Sequence, residues 1–149
     1  MSLSSTASLM PLLTKPRSVN LLERLTRNSI PGILCGIVIM ILTVLPGSLF
    51  PRVKPAIGLD KVVHIFMYAG LAFACLWGYR SQFVTNGLAY KKRAVLLAII
   101  ISIAYGGLTE LIQEYLVPTR SGNVFDFVAD CLGAGLGVLF FYLFFHREK

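Results

Sequence analysis

Four long apolar runs, each bounded by charge, constrain this chain more than any other feature of its sequence. They extend from Ile30 to about Phe50, Val62 to Tyr79, Ala94 to Val117, and Val124 to Phe145. A lipid-spanning helix needs about 20 mostly apolar residues, because only a helix or a closed barrel satisfies its backbone without water. Only 14% of the residues are charged, whereas a soluble domain carries about a quarter. The expected fold is therefore all-α: an integral membrane bundle of four transmembrane helices. The first run is not read as a signal peptide. It is longer than a signal core of about 7–15 residues, starts at residue 30, and ends in Pro46-Gly47 and Phe50-Pro51.

The chain divides into a tail at 1–29, a membrane domain at 30–145 and a short tail at 146–149. Residues 1–19 are Ser- and Thr-rich and read as a mobile segment. Asn20 followed by Glu23 has the form of a capping box. It predicts a surface helix with Leu21, Leu22 and Leu25 towards lipid and Arg24 and Arg27 towards headgroups.

Basic residues set the expected orientation. With the N-terminus inside, the inner segments hold ten: Lys15, Arg17, Arg24, Arg27, Arg80, Lys91, Lys92, Arg93, Arg147 and Lys149. The outer loops hold four: Arg52, Lys54, Lys61 and Arg120. Both termini are expected in the cytoplasm, in a multi-pass protein of a cell membrane. The +7 net charge sits in short clusters, not in the continuous basic face of a nucleic-acid binder, so no nucleic-acid partner is expected. Cys35, Cys75 and Cys131 lie apart inside apolar runs and read as small packing side chains. No repeat relates the two halves, which removes the usual sequence support for an inverted-repeat transporter.

This topology gathers the polar residues at one side. Asp60, Lys61, His64 and Tyr68 open the second span, and Glu110, Gln113 and Glu114 close the third. Arg120 lies in the following loop, and Asp126 and Asp130 open the fourth span. At about 1.5 Å per helical residue, Glu110 and Asp130 lie roughly 10 Å below the outer ends of their helices. An acid at the centre of a span costs roughly 2.5–3.5 kcal/mol unless it is compensated. Spacings of three and four place Lys61, His64 and Tyr68 on one face, with parallel stripes at Gly106, Glu110, Gln113 and at Asp126, Asp130, Gly133, Gly137. Gly133 and Gly137 form a G-x-x-x-G that permits close helix approach, and a homo-oligomer through these glycines is one consequence.

The motifs D-K-x-x-H-x-x-x-Y (Asp60, Lys61, His64, Tyr68), E-x-x-Q (Glu110, Gln113) and R-x5-D-x3-D-x2-G (Arg120, Asp126, Asp130, Gly133) resemble the VanZ-like membrane proteins. The resemblance covers residues 60 to about 140 and rests on the combination and order of the motifs. It implies a small multi-helix protein of a bacterial inner or plasma membrane. The family takes its name from a member linked to low-level resistance to the glycopeptide teicoplanin. It implies a process and no mechanism. The position of Asp130 is often Asn in sequences of this kind, so the site here is more acidic.

The residues themselves leave several functions open. The five clustered acids against Lys61 and Arg120 leave −3 with His64 neutral. Such a site suits a proton, an amine-bearing group, or a sugar or peptide rich in donors. The leading expectation is a site that binds or remodels a membrane lipid or lipid-linked envelope-precursor headgroup. Asp60, Lys61, Tyr68, Gln113, Glu114, Arg120 and Asp130 would bind it. A rival function is that of an enzyme in which His64, Glu110 and Asp126 perform acid–base group transfer or hydrolysis. A covalent route is not indicated, since no Ser-His-Asp or Cys-His motif is legible. The same residues are compatible with a small proton-coupled transporter, an accessory subunit without ligand, or a purely structural ionic network. No cofactor and no metal is assigned: His64 with Glu110, Asp126 and Asp130 offers suitable donors, but no second histidine or cysteine stands at ligand spacing. Tyr68 and the Phe140, Phe141, Phe144, Phe145 end also read as lipid-facing or packing residues.

Overall fold

A computed structural model describes residues 21–45, 58–118 and 121–145. In chain order the helices are α1 (Leu21–Val44), α2 (Leu59–Gly78), α3 (Arg80–Thr85), α4 (Leu88–Leu116) and α5 (Val124–Phe145). There is no strand among the described residues. Four helices are long and apolar enough to cross a membrane: Glu23–Val44, Leu59–Gly78, Leu88–Leu116 and Val124–Phe145. The four-helix all-α membrane architecture expected from the apolar runs is thus present.

The boundaries differ in instructive ways. The surface helix expected after Asn20 is helical, but it does not end before the first span: α1 continues through Pro31 to Val44. Proline removes one backbone donor, which a long membrane helix can tolerate. The expected end of the first span near Phe50 lies outside the described residues. α4 starts six residues earlier than expected and has 29 residues. At about 1.5 Å per residue it is about 44 Å long, more than the roughly 30 Å hydrocarbon core. Its first turns, carrying Lys91, Lys92 and Arg93, thus extend beyond the apolar layer.

The short helix α3 has no counterpart in the sequence pattern. Six residues with three polar side chains and one arginine carry no legible period. What holds α3 is tertiary: Phe83 is buried and meets the ring of Phe141 edge-on at 5.0 Å.

The tightest pair is α2 with α5. A Cβ on Gly133 would lie 3.0 Å from Ile65 Cα, and one on Gly137 would lie 3.0 Å from Ala69 Cα. The two glycines therefore serve the packing of α5 on α2 within the chain. α1 leans on α2 where Gly32 meets Cys75 and where Gly78 meets the Asn28 backbone. It reaches α4 through Tyr105, whose hydroxyl donates to the Gly36 carbonyl at 2.7 Å. Outward faces are covered by large apolar residues such as Phe66, Leu97, Leu132 and Phe144, as lipid contact requires.

The interior is segregated along the bundle. At the end where α2 finishes and α4 starts, the core is apolar: Ala72, Leu76, Phe83, Ala98, Ala134, Val138 and Phe141. At the opposite end the buried residues include the polar His64, Thr109, Glu110, Gln113, Asp126 and Asp130.

Candidate functional site: a buried carboxylate–histidine cluster

Three helix ends build the cluster: the start of α2, the end of α4 and the start of α5. The helical spacing read from the sequence holds on each. Lys61 Nζ donates to Asp126 Oδ1 at 2.8 Å. One turn deeper, His64 Nδ1 lies 2.9 Å from Asp130 Oδ1 and 3.7 Å from Glu110 Oε1. Deeper still, the Tyr68 hydroxyl donates to Thr109 Oγ1, which in turn donates to the Gly106 carbonyl at 2.9 Å. The site is therefore layered, from an ion pair at the rim through a carboxylate–imidazole layer to a closed floor.

Small residues make this layering fit. A Cβ at Gly106 would stand 2.9 Å from Asp130 Oδ2, so the missing side chain is what admits that carboxylate against α4. The G-x-x-x-G of α5 likewise draws α2 close enough for His64 to reach Asp130. The loop into α5 is fastened to α4 by its own acids. Glu110 Oε2 accepts from the Asn123 amide at 2.7 Å, and Glu114 Oε2 accepts from the Gly122 amide at 2.9 Å. The Asn123 side chain accepts from the Phe125 amide at 2.9 Å, capping α5.

Of the residues expected at the site, His64, Glu110, Gln113, Asp126 and Asp130 are buried together at this end, with Lys61 half-buried above them. Tyr68 is fully buried and forms the floor, so it packs inside and does not face lipid. Asp60 and Glu114 are exposed: Asp60 stands at the rim, and Glu114 serves the loop. Arg120 lies outside the described residues. The aromatic end divides, with Phe141 fully buried and Phe140 and Phe144 exposed. Two further participants escape a reading of the sequence for sites. Thr109 gives no signal inside an apolar run. Asn123 does: an Asn directly before an apolar run is a helix-start signature.

Two acceptor atoms of the cluster stand out. Glu110 Oε1 and Asp130 Oδ2 are buried without a hydrogen-bond partner among the described residues. In a protein interior such atoms cost about 1–3 kcal/mol each, more when charged, so they are a demand for a proton, a cation or a donor-bearing ligand. Ligand atoms of His64, Glu110 and Asp130 lie within 4.8 Å of one another, as do those of Asp60, His64 and Asp126. These are the residue types that hold a divalent cation. Glu110 also lines a shallow groove of about 640 Å³ on the outer side of α4 and α5, with Gly107, Leu111, Asn123 and Phe127 among its walls. It is thus the one carboxylate of the His64 layer that lines this groove.

The chain is 31% identical over 90 residues to an uncharacterized protein of Schizosaccharomyces pombe. The match covers 60% of this chain and 50% of that protein, so the chain spans about half the length of the curated relative it matches. No protein-family model and no solved structure matches the chain.

Proposed function

We propose that this membrane protein binds a polar lipid headgroup at the Glu110 cluster and holds or remodels it there. The carrying observation is the position of Glu110, with one oxygen unpartnered beside His64 and its side chain in the wall of the α4–α5 groove. A lipid entering from the bilayer meets apolar walls first and the carboxylate last. The excess of acids favours an amine-bearing or hydroxyl-rich headgroup, because donors are what the unpartnered oxygens lack. The resemblance to VanZ-like proteins narrows the ligand to a lipid-linked envelope precursor in a bacterial membrane, with a link to glycopeptide resistance. The basic bias of the loops favours an outer position for the acidic end.

Native mass spectrometry of the purified protein tests the reading. The wild type should retain a lipid with an amine or polyol headgroup, and Glu110→Gln should lose it while melting at an unchanged or higher temperature. An amide keeps the shape and removes the buried charge, so packing is preserved. Equal retention by both proteins, or no retained lipid, would refute the proposal. A second reading, an acid–base enzyme, is favoured by the 3.7 Å approach of Glu110 to His64. Conversion of the retained lipid by the wild type and not by His64→Asn would establish it.

A further inference from the structure

At the opposite end of the bundle a larger cavity opens between α1, α2 and α4. Its volume is about 820 Å³. α1 reaches α4 through Tyr105, while Ala94 and Ala98 leave the α4 face low towards the helix start. Its shaft is apolar, with Ile33, Ile37, Leu97 and Ile101 among the walls. Tyr105, tied to the Gly36 carbonyl, closes the deep end. The mouth is polar. The Ser29 and Tyr79 hydroxyls pair at 2.9 Å, and Tyr90 donates to Gln82 at 2.7 Å. Arg93 stands beside them and has no ion pair among the described residues.

We propose that this groove is a binding site for an anionic phospholipid, with one acyl chain along the shaft and the phosphate at Arg93. Two independent features select that occupant. The first is length. From Tyr90 to Tyr105 the groove follows α4 for about 22 Å, enough for the roughly 15 Å acyl depth of one leaflet and a headgroup above it. The second is charge. Among the described residues this end carries Arg24, Arg27, Arg80, Lys91, Lys92 and Arg93 against Glu23 alone. Arg80 and Lys91 are engaged on the rings of Trp77 and Phe83. Arg93 is the cation that lines the cavity. Basic pockets between transmembrane helices recognise acidic headgroups by this geometry. The site is separate from the Glu110 cluster and selects the opposite headgroup charge.

The test uses the full chain equilibrated with an equimolar mixture of phosphatidylglycerol and phosphatidylcholine and then analysed by native mass spectrometry. The wild type should retain one phosphatidylglycerol with about fivefold preference, the ratio one basic side chain contributes near an anionic headgroup. Arg93→Gln should bring the ratio close to that of the mixture. Lys92→Gln removes the same charge next to the groove but outside its lining, and should leave the preference unchanged. Ile101→Trp, which fills the deep end, should lower retention of both lipids at this groove, and the preference that depends on Arg93 should persist in Glu110→Gln. Three results would each overturn the assignment: no preference in the wild type, equal losses from Arg93→Gln and Lys92→Gln, or full retention in a folded Ile101→Trp. Because Lys92 and Arg93 are both exposed, loss of folding cannot account for a difference between them.

Discussion

Substituting alanine at three glycines of α5 should separate into two opposite effects within one turn and a half of helix. At Gly133 the new Cβ would meet Ile65 backbone, 3.0 Å from its Cα and 3.1 Å from its carbonyl carbon. At Gly137 it would stand 3.0 Å from Ala69 Cα and 2.9 Å from its carbonyl carbon. Backbone cannot rotate away as a flexible side chain can, so α2 and α5 must part. Overpacking of this kind costs about 1–3 kcal/mol, against which helix propensity returns about 1 kcal/mol for replacing glycine by alanine. The net loss should be up to about 2 kcal/mol at either position. The double variant should lose less than the sum, since one separation of the helices accommodates both methyl groups. Gly135 has nothing within 4 Å of its would-be Cβ, so Gly135→Ala should be stabilising by up to about 1 kcal/mol. Reversible unfolding in mixed micelles measures all four variants under one condition. If Gly133→Ala proved as stable as Gly135→Ala, the close seam between α2 and α5 would be wrong, and with it the approach of His64 to Asp130.

Other perturbations probe the rim, the floor and the orientation. Lys61→Met leaves Asp126 buried without its partner, so it should destabilise more than the double variant Lys61→Met/Asp126→Leu; a double-mutant cycle should show favourable coupling between the two side chains, and zero coupling would remove the ion pair from the account. Tyr68→Phe deletes one buried hydrogen bond while Thr109 keeps its bond to Gly106, so the expected loss is about 1 kcal/mol in the same unfolding assay; a loss several times larger would mean that the floor holds the cluster together. A reporter fused after Lys149 should be cytoplasmic and one inserted at Gly122 external, following the basic bias of the loops; the reverse pattern would turn the acidic end inward.

The architecture was legible because its cause is local. A backbone in lipid must bond to itself, so length and apolarity of a run suffice to name a spanning helix, and all four runs are helical where described. Much of the site was legible for a related reason. Spacings of three and four put His64 above Tyr68, Glu110 above Gly106 and Asp126 above Asp130 on single faces, and an acid inside an apolar run has few stable arrangements other than facing another polar group. The sequence alone did not determine which faces meet. Gly133 and Gly137 announce a close approach without naming the partner, and only the packed bundle spends them on Ile65 and Ala69 of α2. The same holds for α3, set by Phe83 against Phe141, and for Glu110 and Glu114, whose oxygens fasten the loop before α5. The groove beside Arg93 was invisible for the complementary reason. A void is a property of the distance between helices, and α1 and α4 carry no residue pattern that states how far apart they stand. Periodicity decides what each helix presents; the contacts between helices, which join residues distant in the chain, decide what each presented group meets.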